Sequence, residues 1–216
     1  MHASATAALI LGTTNEGKVR ELLELLGPFG IPCRSLRGLD AAVTVEETGA
    51  SFAENAALKA GQQAAALRAW VLAEDSGLVV DALDGGPGIH SARFSGPVPP
   101  GAKGDTDARN NALLLEKLAA VAADRRTAHY ACHAALADPT GRIVATAAGV
   151  CRGRIATVAQ GGGGFGYDPL FIVPEYHRTF GELPPAVKAV ISHRARAMRA
   201  IMPALVALLA TAAVRT

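Results

Sequence analysis

Apolar positions along this chain fall into two patterns, short unbroken runs and stripes at helical spacing. TAALILGT (6–13) is a short apolar run closed by Gly and Thr, the pattern of a buried strand. GKVRELLELLG follows at once, with Val19, Leu22, Leu23 and Leu26 on one predicted helical face and Gly27-Pro28 as the stop. The reading is strand, tight loop, helix. Ser51 and Glu54 form an S-x-x-E capping box that opens a predicted helix through ENAALKAGQQAAALRAW (54–70). WVLAEDSGLVVDAL (70–83) reads as two short strand segments interrupted by the charged EDSG. A further amphipathic helix is predicted over 105–123, capped by Asp105 or Thr106. TAHYACHAALA and RIVATAAGVCRGRI flank DPTG (138–141), a strong hairpin signal. Ser192 is placed to cap a closing helix that Pro203 should kink. Strands and helices alternating around one antiparallel hairpin predict an α/β fold with a mixed sheet.

Composition narrows the class. With 216 residues, 50% of them hydrophobic and 19% charged, the chain can bury one substantial core, in one or two lobes, without disulfides or a structural metal. A net charge of +2 and the lack of any Lys/Arg-rich run argue against a nucleic-acid partner. Three cysteines, with no CxxC pair, fit a reducing cytoplasm better than a secreted framework. The N-terminal MHASATAALIL has no basic n-region and is not read as a signal peptide. IMPALVALLATAAV is apolar for 14 residues, short of the ~20 that span a membrane, so a buried helix and a soluble protein with no membrane partner are expected.

Four stretches could carry chemistry. TTNEGK (13–18) sits where the first strand gives way to the first helix, and backbone N–H groups at a helix N-terminus favour an anion there. Thr14 and Asn15 add side-chain donors, Gly17 permits close approach and Lys18 supplies a point charge. Val19 replaces the Ser/Thr of a Walker loop, and a plain capped helix is the alternative. EETG (46–49) and EDSG (74–77) are acidic pairs suited to a hard cation such as magnesium, with a neighbouring carboxylate as proton acceptor; two solvated turns are the alternative. In EDSG the acids interrupt apolar sequence, so they should lie at the core's edge, where charge needs a metal or partner. QGGGGFGYDP (160–169) has the spacing of a dinucleotide loop but leads into strand-like LFIV instead of a helix. A glycine-permitted bend presenting Phe165, Tyr167 and Asp168 to a flat ligand is preferred. KAVISHR (188–194) gathers Lys188, His193 and Arg194, which suit an oxygen-rich ligand or a solvated basic face. His129 and His133 fall in a predicted strand and are read as structural.

With TTNEGK, EETG, EDSGL, PGIHSARFSG, GGFGYDP and KAVISHR in this order, nearly the whole chain resembles the inosine triphosphate pyrophosphatase family, enzymes acting on ITP, dITP and XTP. The resemblance implies an elongated mixed sheet flanked by helices, a single domain of two lobes around a central substrate cleft. It implies a homodimer and magnesium-dependent hydrolysis of non-standard purine nucleoside triphosphates to monophosphate and pyrophosphate. By resemblance, Thr13, Thr14, Asn15, Glu16, Gly17 and Lys18 grip the phosphates, helped by Lys59. Asp75 is catalytic base and metal ligand, and Glu46, or Glu47 beside it, is the second metal carboxylate. Ser76 touches substrate. Phe165, Gly166, Tyr167 and Asp168 hold the base, joined by Lys188, His193 and Arg194. Three departures stand out: a few extra residues at the N-terminus, Glu74 where many relatives have Asp, and Gly162 where Thr is frequent. Arg194 and protonated Lys188 donate only, so they suit a purine with oxygen at C6 and disfavour the amine of adenine. A nucleotide-sensing module and a nucleotide-dependent oxidoreductase using the glycine run are the alternative functions.

Overall fold

The computed structural model describes residues 8–97 and 105–214, with side chains as far as 208. In chain order the elements are β1 (Leu9–Leu11), α1 (Glu16–Leu26), β2 (Cys33–Ser35), α2 (Phe52–Leu67), β3 (Val71–Val80), α3 (Thr106–Lys117), β4 (Thr127–Ala137), β5 (Ile143–Ile155), β6 (Phe171–Val173), β7 (Arg178–Thr179), α4 (Pro185–Ile191) and α5 (His193–Val214). Among the described residues the strands form one sheet in the order β2-β1-β3-β4-β5-β6-β7. β1 pairs in parallel with β2 and β3, whereas β5 with β6 and β6 with β7 are antiparallel. The mixed α/β sheet is the predicted one.

The described chain divides into two units. One takes the chain up to Asp75, then Cys132–Gly149, then Arg194 onward; the other takes Ser76–Ala131 and Val150–His193. The first unit buries Leu9, Leu11, Leu22, Leu26, Leu72 and Leu136 with Met198, Ile201 and Leu205 of α5. A second layer of small residues, Ala56, Ala60 and Ala64 of α2, lies against Val71 and Ala73. The core of the other unit is aromatic: Tyr130 lies 4.6 Å from Phe171, which stacks on Phe180 at 5.3 Å. Leu78, Leu114, Leu118 and Tyr167 close it.

Local signals held in several places. Ser51 and Asp105 cap their helices as expected by accepting a backbone N–H, and Asn15 does the same for α1. The DPTG turn closes by Asp138 N–H donating to the Arg142 carbonyl at 3.0 Å. Others need correction. α2 stops at Leu67 because Arg68 adopts a left-handed conformation, φ 50°, that caps it. α3 ends at Lys117, and Arg126 donates to the carbonyls of Leu118 and Val121, satisfying groups that a longer helix would have used. Leu23 is exposed while Leu22 and Leu26 are buried, so the apolar stripe of α1 is narrower than predicted. Lys188 sits on a separate short helix, α4. α5 runs on past Pro203, and Val206 on it is half exposed. No described helix is long and apolar enough to cross a membrane.

The largest correction concerns EDSG. It does not interrupt anything: β3 runs unbroken from Val71 to Val80 with Glu74 and Asp75 both buried in it. Two adjacent carboxylates survive inside a strand only if cations meet them.

Candidate active site

In the first unit the loop after β1 is short and ordered from within. Thr13 Oγ1 accepts the Asn15 N–H at 3.2 Å, and Asn15 Oδ1 accepts the Lys18 N–H at 3.0 Å. Thr14, Asn15 and Glu16 are exposed, Gly17 is buried, and Glu16 pairs with Arg37 at 2.6 Å. The helix start is thus capped by its own side chains, with Lys18 turned inward.

What Lys18 turns toward is Glu74. Its Nζ lies 3.1 Å from Glu74 Oε1, and the same oxygen accepts from Arg194 Nη2 at 3.1 Å and Nε at 3.3 Å. The other oxygen accepts the Cys132 thiol at 3.4 Å. The Arg194 Nη1 group donates to Glu21. Burial alone would raise the Glu74 carboxyl, but the charges of Arg194, Lys18 and Lys59 overcome it and hold it well below the usual carboxylate range. Burial, then the charge of Glu74, pushes the Cys132 thiol well above its ordinary value, so it stays protonated and donates.

Asp75, the next residue, has other partners. Oδ1 accepts from Lys59 Nζ at 2.7 Å and Oδ2 from Asn55 Nδ2 at 3.4 Å. Asn55 and Lys59 stand one turn apart on α2, which is why both reach the same carboxylate. Lys59 also contacts Glu47 at 2.9 Å. Burial opposes the charge of Lys59, but Asp75 and Glu47 outweigh it and raise its pKa. The EETG loop is tied back to α2: Gly49 N–H donates to Asn55 Oδ1 at 2.8 Å and Ala50 N–H to Glu54 at 2.7 Å. Glu46 is exposed, and it is Glu47 that shares a lysine with Asp75.

In the other unit the glycine run is folded tightly on its neighbours. Gly161, Gly164 and Gly166 have positive φ. A Cβ on Gly164 would fall on the Asp168 carboxylate, whereas one on Gly162 would meet open space. Asp168 accepts the Phe165 N–H at 2.9 Å and pairs with Lys188. The Lys188 ammonium lies 4.9 Å from the Phe165 ring centre and 5.5 Å from that of Phe180. His193 stacks on Tyr130 at 4.6 Å. Ser76, next to Asp75 on β3, is half-buried.

Two expected ligand contacts are placed differently from the sequence reading. The Tyr167 ring is buried and its hydroxyl donates to the Ser91 carbonyl at 2.8 Å, so its side chain anchors the bend from below. The Arg194 guanidinium is buried and spread over Glu74 and Glu21. The roles of Glu21, Asn55 and Cys132 are not read from the sequence motifs. Glu21 follows Lys18 by three residues and Asn55 precedes Lys59 by four, so helical spacing could have found both. Nothing in the sequence marks Cys132.

A capped strand-to-helix loop carrying Lys18 beside buried, cation-matched carboxylates on an α/β sheet supplies groups that can meet phosphate. Residues 9–204 match the Ham1 family. The chain is 50% identical over 200 residues to a dITP/XTP pyrophosphatase of Rhodopirellula baltica, covering 93% of each. It is 48% identical to the dITP/XTP pyrophosphatase of Desulforamulus reducens, over 90% of this chain and 93% of that one. A solved HAM1 protein from Coxiella burnetii superposes with a TM-score of 0.77 at 36% identity, covering 89% of this chain and 95% of its own. A nucleoside-triphosphatase, dITP/XTP pyrophosphatase, from Mycobacterium abscessus gives 0.69 at 40% identity, covering 91% and 99%. The chain belongs to the Ham1 family.

Proposed function

We infer that the protein hydrolyses non-standard purine nucleoside triphosphates, dITP, XTP and ITP, to the monophosphate and pyrophosphate. One observation carries the reading: two adjacent buried carboxylates on β3 are committed to different lysines, Glu74 to Lys18 of the anion loop and Asp75 to Lys59. The relatives named above as dITP/XTP pyrophosphatases support the substrate class.

The division of labour follows from the partners. Thr14, Asn15 and Lys18, with the N-terminal N–H groups of α1, stabilise charge on the departing pyrophosphate. Glu74 is the anchor that aims Lys18. Asp75 takes a proton from the attacking water, its carboxylate steadied by Lys59 and Asn55. Among the described residues no three His, Cys, Asp or Glu side chains cluster as a metal cage. The hard oxygens of Asp75 and Glu47 nevertheless fit magnesium, which is held by one or two carboxylates together with water and phosphate. Glu47 takes precedence over Glu46 for this role because it shares Lys59 with Asp75. When bound, the cation supplies neutralisation of phosphate charge.

Phe165 offers a flat face to the purine, and Lys188, held against it by Asp168, donates to an oxygen at C6. His193 assists from the start of α5. Adenine would meet that donor with an amine, which disfavours ATP. The active form is a homodimer, to be checked by sedimentation at micromolar concentration. Incubation with dITP, XTP, ITP and ATP plus magnesium tests the reading. Pyrophosphate release from the first three well above that from ATP is expected; orthophosphate alone, or no turnover, overturns it.

A further inference from the structure

Resting on that reading, we propose that Asp107 and Asn111 of α3 are positioning residues for base recognition, holding both polar backbone groups of Gly166. Asp107 Oδ2 accepts the Gly166 N–H at 2.6 Å, and Asn111 Nδ2 donates to the Gly166 carbonyl at 3.0 Å. The two side chains stand four residues apart on one helix face, the spacing at which neighbours along a helix can grip a single peptide unit from two sides. Gly166 needs that grip. It sits at φ 64° directly after Phe165, and a Cβ there would meet nothing within 4 Å, so the described contacts that hold it are those to its backbone.

The helix that does the holding is itself fixed. Asp105 caps α3 by accepting the Asp107 N–H at 3.0 Å, which sets the register of the acid. Asn110 accepts the Ser95 N–H at 2.8 Å and donates to the carbonyls of Ser91 and Ala92, both at 3.3 Å. The same Ser91 carbonyl receives the Tyr167 hydroxyl at 2.8 Å. The bend is thus held at three successive residues: Phe165 through Asp168, Gly166 through α3, and Tyr167 through Ser91. Of these, the α3 contacts are the ones made by side chains outside the glycine run that touch neither Lys188 nor any residue assigned to the phosphates. Their function is to set the direction in which the Phe165 ring and its Lys188 partner face the purine. They do no chemistry.

The test uses full-length protein carrying Asp107→Ala, Asp107→Asn or Asn111→Ala. Loss of a hydrogen bond to a charged group should raise KM for dITP about tenfold in Asp107→Ala, with kcat little changed. Asn111→Ala should give a smaller rise of the same kind. Asp107→Asn, which keeps an acceptor oxygen, should recover most of the affinity. The inhibition constant of inorganic tripolyphosphate, which has no base, should stay within about twofold in every variant. Backbone hydrogen exchange over residues 160–168 should accelerate in the two alanine variants. Unchanged exchange in both overturns the proposal, as does KM for dITP rising in step with the tripolyphosphate constant. If Asp107→Ala fails to fold, Asn111→Ala decides by the same readings. Should the wild type release no pyrophosphate from any substrate, the functional reading fails by itself. Hydrogen exchange and calorimetric affinity for inosine monophosphate would still decide the positioning role.

Discussion

Each unit of this molecule buries carboxylates, and the two do so in opposite ways. In the first, Glu74 and Asp75 meet three cations, Lys18, Arg194 and Lys59, with Glu21, Glu47, Asn55 and Cys132 completing a polar network. In the other, Asp168 pairs with Lys188, whose ammonium lies near the rings of Phe165 and Phe180. A triphosphate carries several charges that change during reaction, and on the proposed function a network of several buried charges is suited to respond to them. A purine needs a flat apolar face and a donor in a fixed place, which one ion pair against an aromatic ring provides. On the proposed function, the contrast is between a region suited to charge and a region suited to shape.

That contrast can be broken experimentally. The largest effect is expected from Asp75→Asn, which nearly preserves shape but removes the proton acceptor. Turnover should fall by about 10²–10⁴, with unchanged circular dichroism, and pyrophosphate release measures it. Near-normal turnover would show that the chemistry is misplaced.

Next comes stability. Arg194→Ala strips Glu74 and Glu21 of a shared buried cation and should cost about 3–5 kcal/mol in urea unfolding. Lys188→Met leaves Asp168 with the Phe165 N–H still donating, so a smaller loss of about 1–3 kcal/mol is expected. Equal losses in the two variants would erase the distinction between network and pair.

A finer test lies within the glycine run. Gly164→Ala forces a Cβ onto the Asp168 carboxylate at a positive φ, and should raise KM for dITP by disturbing Lys188. Gly162→Ala points into open space and should be close to neutral. If both are neutral, the bend is not what presents the base-binding groups.

The smallest effect is a reference carboxylate that needs no cation core. Asp138, at the DPTG turn, is held down to about 2 by the Thr140 hydroxyl first, against some burial, and then by backbone N–H groups and Arg142. A depressed folded value means fewer protons bound folded than unfolded. Its contribution is complete above the ordinary carboxylate range, near 4, and is lost as pH falls toward 2. Urea melts of Asp138→Asn should show a shallower decline than wild type across that window and none of the activity loss of Asp75→Asn.

Much of this was legible in the chain before folding. The helix caps at Ser51 and Asp105, the hairpin and the mixed sheet follow from local rules, because spacing and capping chemistry act over a few residues. The presence of Asp75, Lys18, Phe165 and Lys188 in chemically suggestive stretches was equally plain. What the sequence alone could not determine was who meets whom. EDSG reads as a break because local propensity penalises adjacent acids in an apolar run. The strand continues because residues distant in sequence, Lys59 and Arg194 among them, bring charge to meet it. Arg194 reads as a free donor beside Lys188, yet it is 120 residues away in sequence from the Glu74 that it grips. The Tyr167 side chain belongs to the core because its hydroxyl donates to the carbonyl of Ser91, 76 residues away in sequence. Local chemistry selects the elements; the pairing of buried charges, set by long-range packing, selects what each functional residue can do.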